Sequence, residues 1–273
     1  MVYKMNTHRI KALVKKELLE MMYDKSTLYP MLFIAVFFSV ILPNILIIFS
    51  TKVDLVNLPS EFEKSIHQLN TLNLPVHASP EHILIYIVLM YFLMPLFLLM
   101  PVIISNASAS YSFVGEKEHK TLEGLLYTPL SDKEMLLGKV IASFIPSIVI
   151  TYGAIVLYGI TVNLFGWKQF HQLIFPNGAW LSLILLIIPS MTFLSICLVM
   201  MVANKAKSMK SAQSVALFLV VPIIGLIISQ ASGIMLLGYQ IILIAGFVLI
   251  ILDIIIFLLL VKSFNRDKMV SKL

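Results

Sequence analysis

VGEKEHKTLEGLLYTPLSDKEMLLGK, residues 114–139, is the one long, densely charged stretch lying between two apolar runs of membrane length. Its charges alternate in sign, and its leucines are spaced for short helices rather than for a span. The rest of the chain contrasts with it. Of 273 residues, 59% are hydrophobic and 12% charged, whereas soluble domains carry about 25% charged residues. The composition therefore specifies an all-α polytopic membrane protein, with this segment as a structured loop on one face.

A helix needs about 20 mostly apolar residues to cross about 30 Å of hydrocarbon. Six stretches qualify: 28–50, 83–105, 135–157, 179–202, 212–228 and 236–261. No apolar leader precedes them, so insertion is expected to rely on the first span. Lysine and arginine set the orientation. Placing the N-terminus in the cytoplasm puts 17 basic residues in inside segments and leaves only Lys52, Lys64 and Lys168 outside. That bias predicts cytoplasmic N- and C-termini, as an even number of spans requires. Because the basic residues cluster beside spans, the net charge of +6 reads as topology and not as a nucleic-acid surface.

Residues 6–26 form a cationic amphipathic helix, capped at Asn6 or Thr7. Ile10, Leu13, Val14, Leu18, Met21 and Met22 make its apolar stripe, and Lys11, Lys15, Lys16 and Glu20 occupy other faces. Such a helix ahead of a span lies in the membrane interface, either as an anchor or as a lever. Prolines at 43, 95, 101, 146, 189 and 222 each remove a backbone donor, which predicts kinks. Pro222, Gly225 and the polar run at 229–233 point to a re-entrant break over 229–235 or a plain short loop after the fifth span. Residues 51–82 form an outer loop. Its His67, His77 and His82, with Glu61, Glu63 and Glu81, match no zinc spacing.

Within the charged segment, Leu122, Leu125 and Leu126 share one helical face while Glu116, Glu118 and Glu123 keep the rest solvated. Pro129 breaks the chain, and Ser131 with Glu134 forms a capping box that opens the third span. Gly138-Lys139 fails the phosphate-binding loop pattern, since Val140 follows and position 133 is Lys. The chain carries no nucleotide-binding motif and no catalytic constellation.

These residues carry a resemblance. Glu116, Glu118, Thr121-Leu122-Glu123, Leu125-Leu126, Thr128-Pro129-Leu130-Ser131, Glu134 and Leu136-Leu137-Gly138-Lys139 resemble the loop of the ABC-2 type family of ABC transporter permeases. Lys120 stands where relatives often have Gly. The resemblance implies that 111–134 is a cytoplasmic coupling loop, with Glu116, Glu118, Thr121, Leu122, Glu123, Leu125, Leu126 and Pro129 meeting a soluble nucleotide-binding ATPase subunit. It also implies a second permease subunit, identical or related, in a bacterial-type plasma membrane. ATP and magnesium would reside on the partner, leaving this chain without cofactor or metal. The expected function is that of an exporter's permease for a drug, antibiotic, peptide, lipid or ion. Tyr86, Met90, Met94, Gln213 and Phe218 are candidates for the pathway or the dimer face. Asp253 is the sole acidic residue within a span, where a charge costs about 2.5–3.5 kcal/mol. It serves either as a hydrogen-bonding group between helices or as the ion site of a secondary transporter or channel, the alternative function.

Overall fold

The computed structural model describes residues 6–50, 85–118, 128, 130–203, 206, 208–231 and 239–263. Every regular element among them is helical. An initial helix, α1 (Thr7–Tyr23), is followed by six helices long and apolar enough to cross a membrane. These are α2 (Lys25–Ile48), α3 (Ile85–Gly115), α4 (Asp132–Lys168), α5 (Gly178–Ala203), α6 (Met209–Gln230) and α7 (Tyr239–Lys262).

Two helices exceed the expected spans. At 31 and 37 residues, α3 and α4 measure about 46 and 55 Å by the 1.5 Å rise, well over the hydrocarbon thickness. The run from Ser105 to Ser112 reads as polar, yet its serines are buried and the helix continues through a π-helical turn at Tyr111–Gly115 into Glu116–Glu118. Residues 111–118, placed within the coupling loop, continue the helix of α3, and helix resumes at Asp132 behind the expected Ser131 cap. α6 likewise continues through Pro222, Gly225 and Ser229 to Gln230. The interruption expected at 229 is therefore absent there, while 232–235 and the outer loop 51–82 lie outside the described residues.

α3 and α5 form the centre, with 72% and 67% of their most apolar windows buried, against 17% for α7. Small polar side chains allow this close approach: Ser105 and Ser108 of α3, Ser147 and Thr151 of α4, and Thr192 and Ser195 of α5 are all buried. Membrane helices associate chiefly through such packing, since lipid offers no hydrophobic drive between them. Ser195 also donates to the Val102 carbonyl across the α3–α5 contact at 3.2 Å.

The prolines act through the backbone register. Pro43, Pro95 and Pro189 each follow within three residues of a π-helical turn, at Phe37–Ile41, Val88–Phe92 and Leu183–Ile187. A π turn widens the helix and accommodates the ring, but it leaves carbonyls without helical donors. In α3, Pro95 lies five residues after Met90 and has no N–H to offer. The Trp180 indole N–H donates to the Met90 carbonyl instead, at 2.8 Å, and the Tyr158 hydroxyl donates to the Leu89 carbonyl. Both donors are held in an aromatic cluster with Phe97 and Phe175, at ring-centroid separations of 4.6–5.4 Å. Trp180→Phe keeps the stacking but orphans the Met90 carbonyl. The expected loss is about 1 kcal/mol, read as a lower midpoint in detergent unfolding, and an unchanged midpoint would show that the indole bond does not hold the turn.

Candidate functional site

The described residues of the charged segment gather at the end of the bundle that carries α1. Asn6 caps α1, its side-chain oxygen accepting from the His8 N–H at 3.0 Å. At the other end, Asp24 closes α1 and opens α2, accepting from the Ser26 N–H (3.1 Å) and from the Ser26 and Thr27 hydroxyls (2.6 Å each). What burial Asp24 has pushes its carboxyl up, but these donors hold it below the usual carboxylate range. The elbow between α1 and α2 is thereby fixed.

Leu13, Glu17 and Met21, one turn apart, are the buried face of α1. Leu13 fits against Gly138 so closely that a Cβ there would lie 2.6 Å from the Leu13 Cδ2 atom. Met21 accepts from the Ser108 hydroxyl at 3.4 Å. Between these apolar contacts Glu17 brings a carboxylate into the interior.

Its partner is Lys139 of α4, only 2% exposed. The ammonium lies 2.8 Å from Glu17 Oε1 and 2.8 Å from Glu116 Oε2, donates to the Ser112 carbonyl, and sits 5.4 Å from the centre of the Phe113 ring. The Ser112 hydroxyl donates to Glu17 Oε2 at 2.6 Å. Lys16 completes the cluster, 2.6 Å from Glu116 Oε1 and 3.1 Å from Glu20. Three carboxylates, of Glu17, Glu20 and Glu116, lie within 4.8 Å of one another, a spacing that suits a cation. The protein's own ammonium groups are the cations paired with them.

Burial pushes the Glu17 carboxyl up, and the neighbouring Glu116 charge adds to that, against the pull of Lys139. Burial also raises Glu116, but Lys139 and Lys16 outweigh it and hold that carboxyl low. Lys16 is raised: its partial desolvation is overcome by Glu116, Glu17 and Glu20.

Two further bonds tie the loop ends to other helices. Glu134 forms the expected capping box with Ser131, and its Oε1 also accepts from the Asn6 N–H of the α1 cap at 2.7 Å. Glu118 Oε2 accepts from the Met209 N–H, at the start of α6, at 2.9 Å. A cavity of about 330 Å³ opens beside this end between α2, α3 and α6, with Ser26, Thr27, Met31, Asn106 and Gln213 among its walls.

Of the residues expected to meet a partner, Glu116 is buried in the ion cluster and Glu118 is on the surface. Thr121, Leu122, Glu123, Leu125, Leu126 and Pro129 lie outside the described residues. Met90 and Met94 are 0% exposed and Tyr86 is also buried, so within this chain they are core residues of α3 and present no surface to a second subunit. Gln213 lines the cavity, and Phe218 is 78% exposed on α6. Asp253 is buried where α7 meets α5, hydrogen-bonded to Ser190, with its Oδ1 unpartnered.

Sequence reading missed the roles of Lys16, Glu17 and Lys139. A signal was present: Glu17 interrupts the apolar stripe, four residues after Leu13 and four before Met21. A carboxylate at that position is either exposed to lipid or paired.

The profile of a family described as ABC-2 family transporter protein matches residues 11–265. No curated protein and no solved structure gives a significant match.

Removing one partner of a buried charge cluster costs about 3–5 kcal/mol. Lys139→Met, which leaves the buried Glu17 carboxylate with the Ser112 hydroxyl and Glu116 with Lys16, is expected to lose stability toward the lower end of that scale and to raise hydrogen exchange throughout α1; α1 protection equal to wild type would refute the pairing. At neutral pH Glu116→Gln is expected to destabilise more than Glu17→Gln, since pairing outweighs burial only at Glu116. With its folded-state pKa depressed, Glu116 adds stability above the ordinary glutamate value of 4.5, and that stability is lost as pH falls through the folded value. Detergent unfolding of the wild type and Glu116→Gln across that window measures the difference.

Proposed function

The chain belongs to the ABC-2 transporter family, and on that premise we propose that it is the membrane permease subunit of an ATP-driven exporter. Permeases of this family generally work with an ATPase subunit, and the chain itself lacks a phosphate-binding loop. ATP and magnesium then belong to a separate soluble motor. The basic-residue bias puts α1, the 119–129 loop and both termini on the cytoplasmic side, where such a motor is found. A second permease subunit, the same chain or a relative, pairs with this one in the membrane.

The observation that carries the reading is the convergence of bonds around the loop. Lys139 joins α1 to the ends of α3 and α4, and Glu118 joins the loop's beginning to α6. A displacement applied at 119–129 is therefore delivered to four helices at once. Thr121, Leu122, Glu123, Leu125, Leu126 and Pro129 form the docking surface, and Glu116 is the internal anchor behind it.

The cavity between α2, α3 and α6 supplies a mouth for cargo. Hydroxyl and amide groups share its wall with Pro30, Met31, Ile34 and Ile103, and none of its lining residues is charged. That chemistry suits an uncharged or amphiphilic molecule, such as a drug, a lipid or an apolar peptide, more than a free ion. The second reading, a secondary transporter driven by an ion gradient, rests on Asp253 with its unpartnered Oδ1.

Co-purification with a soluble ATPase, sought first in the reading frames on either side of this one, tests the first reading. Glu123→Lys is expected to abolish co-purification while leaving unfolding behaviour unchanged. In liposomes holding both subunits, transport should require ATP, survive Asp253→Asn, and fall at least several-fold in Gln213→Leu. Transport by the purified chain alone, driven by a proton gradient and abolished by Asp253→Asn, would establish the second reading in its place.

A further inference from the structure

The ion cluster uses only one side of α1. Opposite Glu17 the helix presents His8, Lys11, Ala12, Lys15, Leu19 and Met22, all exposed. At 3.6 residues per turn, Lys11, Lys15, Leu19 and Met22 fall within about 80° of one another. The face is cationic in its first half and apolar in its second. Lys11 and Lys15 make no ion pair among the described residues, in contrast to Lys16 and Lys139.

The apolar half of α1 is followed by further exposed apolar side chains at the start of α2. Leu19, Met22 and Tyr23 are 45%, 63% and 82% exposed, and across the Asp24 elbow they lead to Tyr29, Leu32 and Phe33 of α2, exposed by 59%, 42% and 63%. Because α2 is long and apolar enough to cross a membrane, an exposed apolar strip along it suits acyl chains. Lys11 and Lys15 precede Leu19 and Met22 by about 6–17 Å along the same face of the helix, just ahead of the point where the chain enters its first span. Exposed lysines beside a span attract negative phosphate, and apolar residues beside them fix the helix in the plane of the interface.

We propose that the outward face of α1 binds anionic phospholipid, with Lys11 and Lys15 on the headgroup phosphates and Leu19, Met22 and Tyr23 among the upper acyl chains. The membrane thereby becomes the outer wall of the helix whose inner wall is the Lys139 cluster. This rests on the membrane-spanning assignment and not on the coupling to an ATPase.

The test uses the full chain in detergent, titrated with phosphatidylglycerol or phosphatidylcholine and read by native mass spectrometry. The wild type is expected to retain phosphatidylglycerol preferentially. Each lysine contributes about fivefold in affinity, so Lys11→Gln with Lys15→Gln should weaken phosphatidylglycerol binding about 25-fold and leave phosphatidylcholine unchanged. Lys11→Arg with Lys15→Arg should restore the preference, and raised salt should reduce it. Equal retention of the two lipids by the wild type would overturn the proposal. So would an undiminished preference in the double glutamine variant, including the case in which that variant loses an ATPase partner in phosphatidylcholine alone, because the face would then belong to a protein. No arm of the lipid titration needs nucleotide or motor, so its failure leaves the exporter reading standing.

Discussion

The position of Lys139 is the constraint on which this end of the molecule depends. An ammonium withdrawn from water is costly unless its donors all find acceptors. Here Glu17, Glu116 and the Ser112 carbonyl receive it, and they come from α1 and the end of α3. The arrangement therefore exists only when α1 lies along the bundle with Glu17 turned inward. A rotation by one residue, about 100°, would carry Glu17 away from Lys139 and drive Leu13 out of the space left by Gly138. Apolar contacts alone would tolerate several rotations of an amphipathic helix; the charges admit one.

The far end of α3 solves a related problem without charge. A membrane interior gives an unpaired carbonyl no water to turn to, and a π turn ahead of Pro95 creates such groups. Tyr158 and Trp180 satisfy them from α4 and α5, so the π turn in α3 is clamped by its neighbours. α3 is consequently held at both ends by side chains of its neighbours, by ammonium and carboxylate at one end and by phenol and indole at the other.

This division explains what could be read in advance. The six spans were legible because apolar length is a local property, and the capping box because Ser131 and Glu134 are three residues apart. Glu17 and Lys139 are 122 residues apart, and nothing local links them. The serine-rich end of α3 lay beyond the expected span, 83–105, because its polarity is visible in sequence while its burial between helices is not. Met90 was a candidate for the pathway or the dimer face from its character, which sequence shows; its burial within this chain depends on neighbouring helices, which sequence does not show. Asp253 was recognisable as a residue needing a partner; Ser190, on another helix, was not recognisable as that partner.

The same contrast bears on which helix is free to move. α3 and α5 are enclosed, so displacing either one disturbs close packing on several sides, and dense interiors resist small shifts. α6 buries only 24% of its most apolar window, with Leu217, Phe218 and Val221 all facing outward. Its start is nonetheless bonded to Glu118 through the Met209 N–H, and its Gln213 borders the cavity. In the proposed coupling α6, bonded at its start to Glu118 and bordering the cavity at its side, is the element through which a push on the loop opens or closes that space. α1 is the opposite case: the Lys139 cluster fixes it to α3 and α4, so it moves with them or not at all. In the proposed coupling the cluster is accordingly the fulcrum, and α6 is the arm.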